Sequence, residues 1–281
     1  MALPRYRILA LDVDGTLLAR DGTLRPRTIA AVARAWEAGI RPVLCTGRRY
    51  RRALPIAEKL GLDAPLVCNS GALVKEPDGH RTLWRADLGV DLLAEVIEVF
   101  RRRDEPAVSF TDRAPEDHDF LVSSAPTGRP LFDDYLDQNL PHAEVDPDWA
   151  ARPGGNHYHL CAIGTRPTML GLEAEILARL PGRVRTFVQK SPRYAGTMCE
   201  VLRHDASKWS ALLHLAEIWR VDPSEICAVG DDMNDVPMLR GAGLGVAMGH
   251  SCPEVLAAAD LVTGADDEDG VAMLIEGVLL L

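Results

Sequence analysis

Apolar residues along this chain follow two rhythms. At Arg7–Asp12 (RILALD), Arg41–Cys45 and Pro65–Cys68 they form short runs without polar alternation, the pattern of strands buried on both faces. Between these runs, Pro26–Ala38 and Arg49–Leu60 repeat their apolar positions at helical spacing and close on Gly39 and Gly61. Strands alternating with helices predict a parallel sheet flanked by helices. The rhythm returns near the other end: helix Ala206–Trp219, strand Glu225–Val229, a short helix over Asp235–Leu239, strand Gly243–Ala247, a helix from Pro253, strand Asp260–Val262 and a last helix from Asp269.

The middle third breaks the pattern. Leu73–Trp84 reads as a hairpin turning at Asp78-Gly79. After it come a helix over Leu88–Arg103, an irregular stretch rich in Pro and Asp, and strands at Tyr158–Ile163, Val184–Val188 and Met198–Leu202. The expected organisation is an α/β core built from residues 1–82 and 192–281, interrupted by an inserted α+β domain over 83–191. Arg101-Arg102-Arg103 at a helix end reads as a solvated cationic terminus that complements the helix dipole.

With 281 residues, 47% apolar and 26% charged, the chain can bury a large core, which excludes disorder and small disulfide scaffolds. Lys+Arg 31 against Asp+Glu 41 gives a net charge of -10, a field that repels nucleic acid and anionic membrane surfaces. A small anionic substrate then needs a local positive site or a metal. No stretch approaches the roughly 18–20 apolar residues of a membrane span, and MALPRYRILALDVDG reaches acidic residues before a signal-type core develops, so the chain reads as cytoplasmic. Cys45, Cys68, Cys161, Cys199, Cys227 and Cys252 are scattered without a CxxC pair, so neither a zinc cluster nor a disulfide framework is expected.

Candidate chemistry sits where predicted strands end or helices begin, the edge at which parallel α/β sheets bind ligands. Asp12-Val13-Asp14-Gly15-Thr16 places two carboxylates two residues apart at a strand exit. They can serve as nucleophile and acid/base if their environments differ, although a plain polar turn explains them equally well. A calcium loop is excluded, because Leu17 and Thr23 stand where such a loop requires Gly and Glu. Thr46-Gly47-Arg48 offers a hydroxyl and backbone N–H groups at a helix start, an anion site or merely a cap. Lys208 lies near the start of a helix, where a lone lysine normally points to water. Gly230-Asp231-Asp232-Met233-Asn234-Asp235 gathers carboxylates that repel one another unless a cation neutralises them, and hard oxygen ligands of this kind suit Mg²⁺. Gly241-Ala242-Gly243-Leu244-Gly245 precedes a strand instead of following one, so its glycines read as packing contacts and not as a dinucleotide loop.

In this order, Asp-x-Asp-Gly-Thr, Thr-Gly-Arg, Lys and Gly-Asp-Asp-x-Asn-Asp resemble the four signature motifs of the haloacid dehalogenase superfamily, closest to its Cof-like phosphatase branch. The resemblance extends to Val246-Ala247-Met248-Gly249 and Asp269-Gly270-Val271-Ala272, and to the position of the insertion, which matches a large α+β cap. It implies a Rossmann-like parallel-sheet core and a Mg²⁺-dependent phosphatase acting on small phosphorylated metabolites, sugar phosphates first among them, through an aspartyl-phosphate. A phosphosugar mutase or phosphotransferase on the same scaffold is the alternative. By the family pattern, Asp12 is the nucleophile and Asp14 the general acid and base. Asp12, the Asp14 carbonyl, Asp231 and Asp235 hold the metal. Thr46 and the Gly47 N–H bind a phosphoryl oxygen and Lys208 neutralises both Asp12 and the phosphoryl group, while Gly15, Thr16, Arg48 and Asn234 bind phosphate or substrate. The family pattern assigns Asp231 to the metal and leaves the role of Asp232 open. Two departures stand out: Ser70 is interposed in Asn69-Ser70-Gly71-Ala72 where many relatives have Asn-Gly, and Trp209 follows Lys208 where glycine is common. His157 and His159, with Arg193 and Tyr194, are candidate readers of the leaving group, although alternate histidines on a strand more often mark a polar sheet face. The expected partner is a small phosphate ester, with no nucleic acid and no membrane, for a monomer or small homo-oligomer.

Overall fold

The computed structural model describes residues 4–113, 117–151, 156–190 and 193–281. The domain boundary expected at residues 191 and 192 lies outside them. The first stretch runs β1 (Ile8–Leu11), α1 (Pro26–Glu37), β2 (Arg41–Leu44), α2 (Tyr50–Leu60), β3 (Leu66–Cys68), β4 (Leu73–Lys75) and β5 (Thr82–Arg85). The middle holds α3 (Val90–Arg102), β6 (Val108–Thr111), β7 (Phe120–Val122), α4 (Pro130–Asn139), β8 (Ala143–Val145), β9 (His157–Gly164), α5 (Arg166–Arg179), β10 (Val184–Lys190) and β11 (Thr197–Arg203). The last stretch is α6 (Lys208–Trp219), β12 (Ile226–Gly230), α7 (Val236–Gly241), β13 (Leu244–Ala247), α8 (Pro253–Leu256), β14 (Leu261–Val262) and α9 (Gly270–Leu274). Among the described residues no helix is long and apolar enough to cross a membrane.

Two compact units result, one formed by the residues up to Trp84 with Ser207–Leu281, the other by Arg85–Ala206. In the first, five parallel strands lie in the order β14-β13-β12-β1-β2. Ile8, Leu9, Ala10 and Leu11 are all fully buried, which is why β1 shows no polar alternation. The chain runs one way from β1 to β2 and the other way through β12, β13 and β14, so the order reverses between β1 and β12. Loops leaving the carboxyl ends of strands at such a reversal border a crevice. β3, expected as a third parallel strand, touches this sheet by the Cys45–Val67 bridge and otherwise belongs to a small sheet in the order β3-β4-β5.

Close backbone packing fixes the start of α6. Asn69, Ser70 and Gly71 all adopt positive φ, at 50°, 55° and 94°, so the interposed serine is absorbed in a left-handed turn. A side chain on Gly71 would run into the Ser207–Lys208 peptide, the junction at which α6 begins. Ser207 caps that helix, its Oγ accepting the Ser210 N–H at 3.0 Å. Trp209 packs its ring against Gly241, and Gly243 and Gly245 lie against the Ser224 and Leu239 backbones, so these glycines serve packing.

The second unit contains a six-stranded sheet in the order β10-β11-β9-β6-β7-β8. Its core places Leu92, Val96 and Phe100 of α3 and Met169, Leu172 and Ile176 of α5 with Leu160, Ala162 and Val201 of the sheet. The stretch expected to be irregular contains β6, β7, α4 and β8, and α5 was not anticipated from the sequence. The later seam falls after Ala206, beyond the expected 191, because β11 pairs along its length with β10 and also with β9. Glu98 pairs with Arg101 at 2.8 Å and Arg102 at 2.7 Å on the exposed end of α3.

Replacement of Gly71 by alanine combines positive φ with a backbone collision. It should cost well over the roughly 1–3 kcal/mol of a strained residue alone, measured as a lowered denaturation midpoint. Gly61→Ala has φ of 65° but open space around it and should cost only about 1 kcal/mol. Equal losses in the two variants would refute the packing argument.

Candidate active site

Asp12 follows β1 directly, and its N–H donates to the Val229 carbonyl of β12 at 3.0 Å. That bond draws the loops after two adjacent strands together. Lys208, which helix-start statistics alone would turn to water and the family resemblance sets beside Asp12, is 1% exposed. Its ammonium donates to Asp12 Oδ1 at 2.7 Å and to Asp235 Oδ1 at 2.6 Å. The other oxygen of Asp235, Oδ2, accepts the N–H groups of Asp231 at 3.0 Å and Asp232 at 3.1 Å. Asp235 thus shapes the loop that carries Asp231, in addition to holding the lysine. Asp232 turns to its own neighbour, accepting the Met233 N–H at 2.7 Å.

Asp12, Asp231 and Asp235 each offer a carboxylate oxygen, and these lie within 4.8 Å of one another. Burial pushes the Asp12 carboxyl up to about 7, with Lys208 opposing and Asp235 adding to the rise. Burial likewise raises Asp231 and Asp235 to about 6, Lys208 again opposing. Burial alone would lower the Lys208 ammonium, but Asp12 and Asp235 outweigh it and raise its pKa. When all three are ionised, three carboxylates and one ammonium leave two negative charges in excess, and a divalent cation is a group whose charge and preference for oxygen ligands match that set.

Neighbouring residues complete the geometry. Thr16 is buried and its hydroxyl donates to Asp231 Oδ1 at 3.0 Å, so it serves the acidic loop. Gly15 sits at φ of 84°, and any side chain there would fall on the Asp231 carboxylate. Arg48 grips Asp14 through two bonds, Nε to Oδ2 at 2.7 Å and an Nη to Oδ1 at 2.5 Å. Thr46 is fully buried, its Oγ1 accepting the Arg48 N–H at 3.1 Å, with Gly47 in the turn between them. Asn234 is buried in the acidic loop. Sequence reasoning missed the Arg48–Asp14 pair and also His250, whose Nε2 lies 3.7 Å from Asp231 Oδ2. The pairing of β12 with β13 was the available signal, since it brings the loop after Ala247 beside Gly230.

The candidate readers lie in the other unit. His159 is buried and stacked on Phe110 with ring centroids 4.7 Å apart, and burial lowers its pKa to about 3. His157 is within 2.6 Å of Ser109 Oγ and stacks on Trp149. The face that carries them is buried and aromatic, not the polar face expected of alternate histidines. Tyr194 meets Tyr135 edge-on and accepts from Asn139 Nδ2 at 3.0 Å, and the Arg193 carbonyl accepts from Gln138.

A carboxyl whose pKa is raised on folding binds its proton more tightly in the folded chain. Its contribution to stability is complete below about pH 4 and disappears as pH rises through about 6 to 7. Metal-free protein should therefore lose melting temperature between about pH 4 and 7, and Asp231→Asn should lessen that slope. An unchanged slope would contradict it. Lys208→Met leaves buried carboxylates without their counter-ion and should cost roughly 3–5 kcal/mol near neutral pH, read by chemical denaturation.

Known proteins agree with this architecture. A family model of haloacid dehalogenase-like hydrolases matches residues 9–275. Pyridoxal phosphate phosphatase YbhA of Escherichia coli (strain K12) is 29% identical over 282 residues, 98% of this chain and 99% of the relative. An HMP-PP phosphatase of Yersinia pseudotuberculosis is 28% identical over 263 residues, 89% of this chain and 86% of the relative. A solved haloacid dehalogenase-like hydrolase of B. subtilis, 23% identical, shares the fold at a TM-score of 0.80, over 97% of this chain and 100% of the other. With the family model spanning nearly the whole sequence, the chain belongs to the haloacid dehalogenase-like hydrolases and is an enzyme of that family.

Proposed function

We propose that this enzyme hydrolyses small phosphate monoesters in a Mg²⁺-dependent reaction through an aspartyl-phosphate on Asp12. The observation that carries the reading is the buried Lys208 ammonium bridging Asp12 and Asp235, with Asp231 alongside. Phosphoryl transfer demands positioning and charge neutralisation more than covalent chemistry from the protein, and this arrangement supplies both. The substrate class is phosphorylated metabolites of the size of sugar phosphates. Two relatives are named for pyridoxal phosphate and HMP-PP, which supports small phosphate esters in general.

Asp12, Asp231 and the backbone carbonyl of Asp14 would hold the cation, with Asp235 beside them. The bound ion supplies the positive charge that lets a dianionic phosphate approach an ionised aspartate. Asp12 attacks phosphorus, the ester P–O bond breaks, and Asp14 gives its proton to the departing oxygen. Asp14 then takes a proton from water, which attacks the same phosphorus and releases inorganic phosphate and the free Asp12 carboxylate. Lys208 balances charge on Asp12 throughout. The Thr46 hydroxyl and Gly47 N–H bind a phosphoryl oxygen, with Asn234 at the same group. Arg48 holds the Asp14 carboxylate in a fixed orientation until substrate arrives, and the proton that Asp14 delivers is taken up from solvent once that fork opens. Thr16 and Gly15 act on the acidic loop, by a hydrogen bond and by leaving room for Asp231.

Release of phosphate from p-nitrophenyl phosphate, then from a panel of sugar phosphates and pyridoxal phosphate, tests the reading. Asp12→Asn should lower kcat by at least about a thousandfold, and EDTA should abolish turnover until Mg²⁺ is restored. Asp14→Asn should accumulate phosphoenzyme from the activated aryl ester. Full turnover by Asp12→Asn, or in EDTA, would end the proposal; phosphate moved between sugars without net release would replace it with the mutase reading.

A further inference from the structure

β12, β13 and β14 run side by side in parallel, with Gly230 opposite Ala247 and Ala247 opposite Val262. Register alone sets the loops that follow them in a row, carrying Asp231, His250 and Asp266 in turn. Backbone bonds hold the row together: Met248 N–H donates to the Gly230 carbonyl at 3.1 Å, and Gly249 N–H to the Gly264 carbonyl at 3.3 Å. The His250 ring lies between two carboxylates, Nε2 at 3.7 Å from Asp231 Oδ2 and Nδ1 at 3.3 Å from Asp266 Oδ1. The Asp266 side chain is 1% exposed, and among the described residues neither of its oxygens has a hydrogen-bond partner. A carboxylate buried in that way is costly unless a positive group faces it, and His250 is the group in place.

We propose that His250, itself oriented by Asp266, is a positioning residue that fixes the Asp231 carboxylate for cation binding. Thr16 hydrogen-bonds Asp231 Oδ1 at 3.0 Å and His250 Nε2 faces Oδ2 at ion-pair distance, 3.7 Å, so the two oxygens meet different partners. A metal ligand whose orientation is set in advance loses less freedom on binding, and partners behind such ligands commonly carry 10–100-fold of metal affinity. This inference rests on the reading of Asp231 as a ligand of the cation.

Mn²⁺ serves as the probe, its free concentration read by electron paramagnetic resonance in titrations of the full-length protein, with a melting curve for every variant. Asp231→Asn should abolish tight binding. His250→Ala should raise the Mn²⁺ dissociation constant about tenfold or more, and His250→Gln, which keeps an N–H donor, should recover most of the loss. Asp266→Asn should weaken binding by several-fold while keeping the volume of the side chain. Parental Mn²⁺ affinity in His250→Ala would overturn the role of His250 and leave the function reading intact. Parental affinity in Asp231→Asn would overturn both. If His250→Ala fails to fold, Asp266→Asn decides, and parental affinity there overturns the proposal.

Discussion

A single buried ammonium organises the parallel-sheet unit at its working edge. Lys208 has 1% exposure, and the compensation for its lost hydration comes from Asp12 and Asp235 at 2.7 and 2.6 Å. Neither carboxylate could be so deep without it, and the lysine could not be so deep without them. Much of the surrounding architecture follows from holding these groups in register. Gly71 lets the backbone close on the start of α6, Ser207 caps that helix so that Lys208 is its first residue, and β1 lies against β12 so that Asp12 and Asp231 leave adjacent strands. The arrangement still carries excess negative charge, and that imbalance makes a cation chemically appropriate at the same place.

The core was legible because its signals are local. A strand buried on both faces is apolar throughout, and glycine is the residue that most readily closes a helix in a left-handed turn, so β1, β2, α1 and α2 announce themselves. The acidic loop after β12 was legible for the opposite reason, since so many carboxylates in so few positions have no comfortable explanation without compensation. The Arg48–Asp14 fork was hidden because it joins residues 34 apart in sequence through side-chain orientation, which no spacing rule encodes. Lys208 was legible only through its place among the family motifs and not from helix-start statistics, because the two carboxylates that bury it lie 196 and 27 residues away.

The inserted unit was harder to read. β7 and β8 are three residues each, too short for alternation to emerge, and no residue of β8 is fully buried. α5 buries Met169, Leu172 and Ile176 at helical spacing behind a Thr165 cap, but Gly171 and exposed Leu170 and Leu177 blur that stripe. β11 was assigned as a strand, yet only pairing partners distant in sequence reveal which sheet it joins. The histidines of β9 illustrate a related limit: alternation places them on one face but does not say what covers it, and here aromatic rings do.

The sheet that carries the acidic cluster is divided between the two ends of the sequence, and its middle partner for β1 is β12. A nascent chain must therefore be extended beyond residue 230 before β1 acquires both neighbours, whereas every strand of the six-stranded sheet has been synthesised by Arg203. Translation thus makes the interior segment available for folding while the flanking one still lacks its carboxyl-terminal half. The apolar β1 must wait with one edge unpaired until β12 has been synthesised.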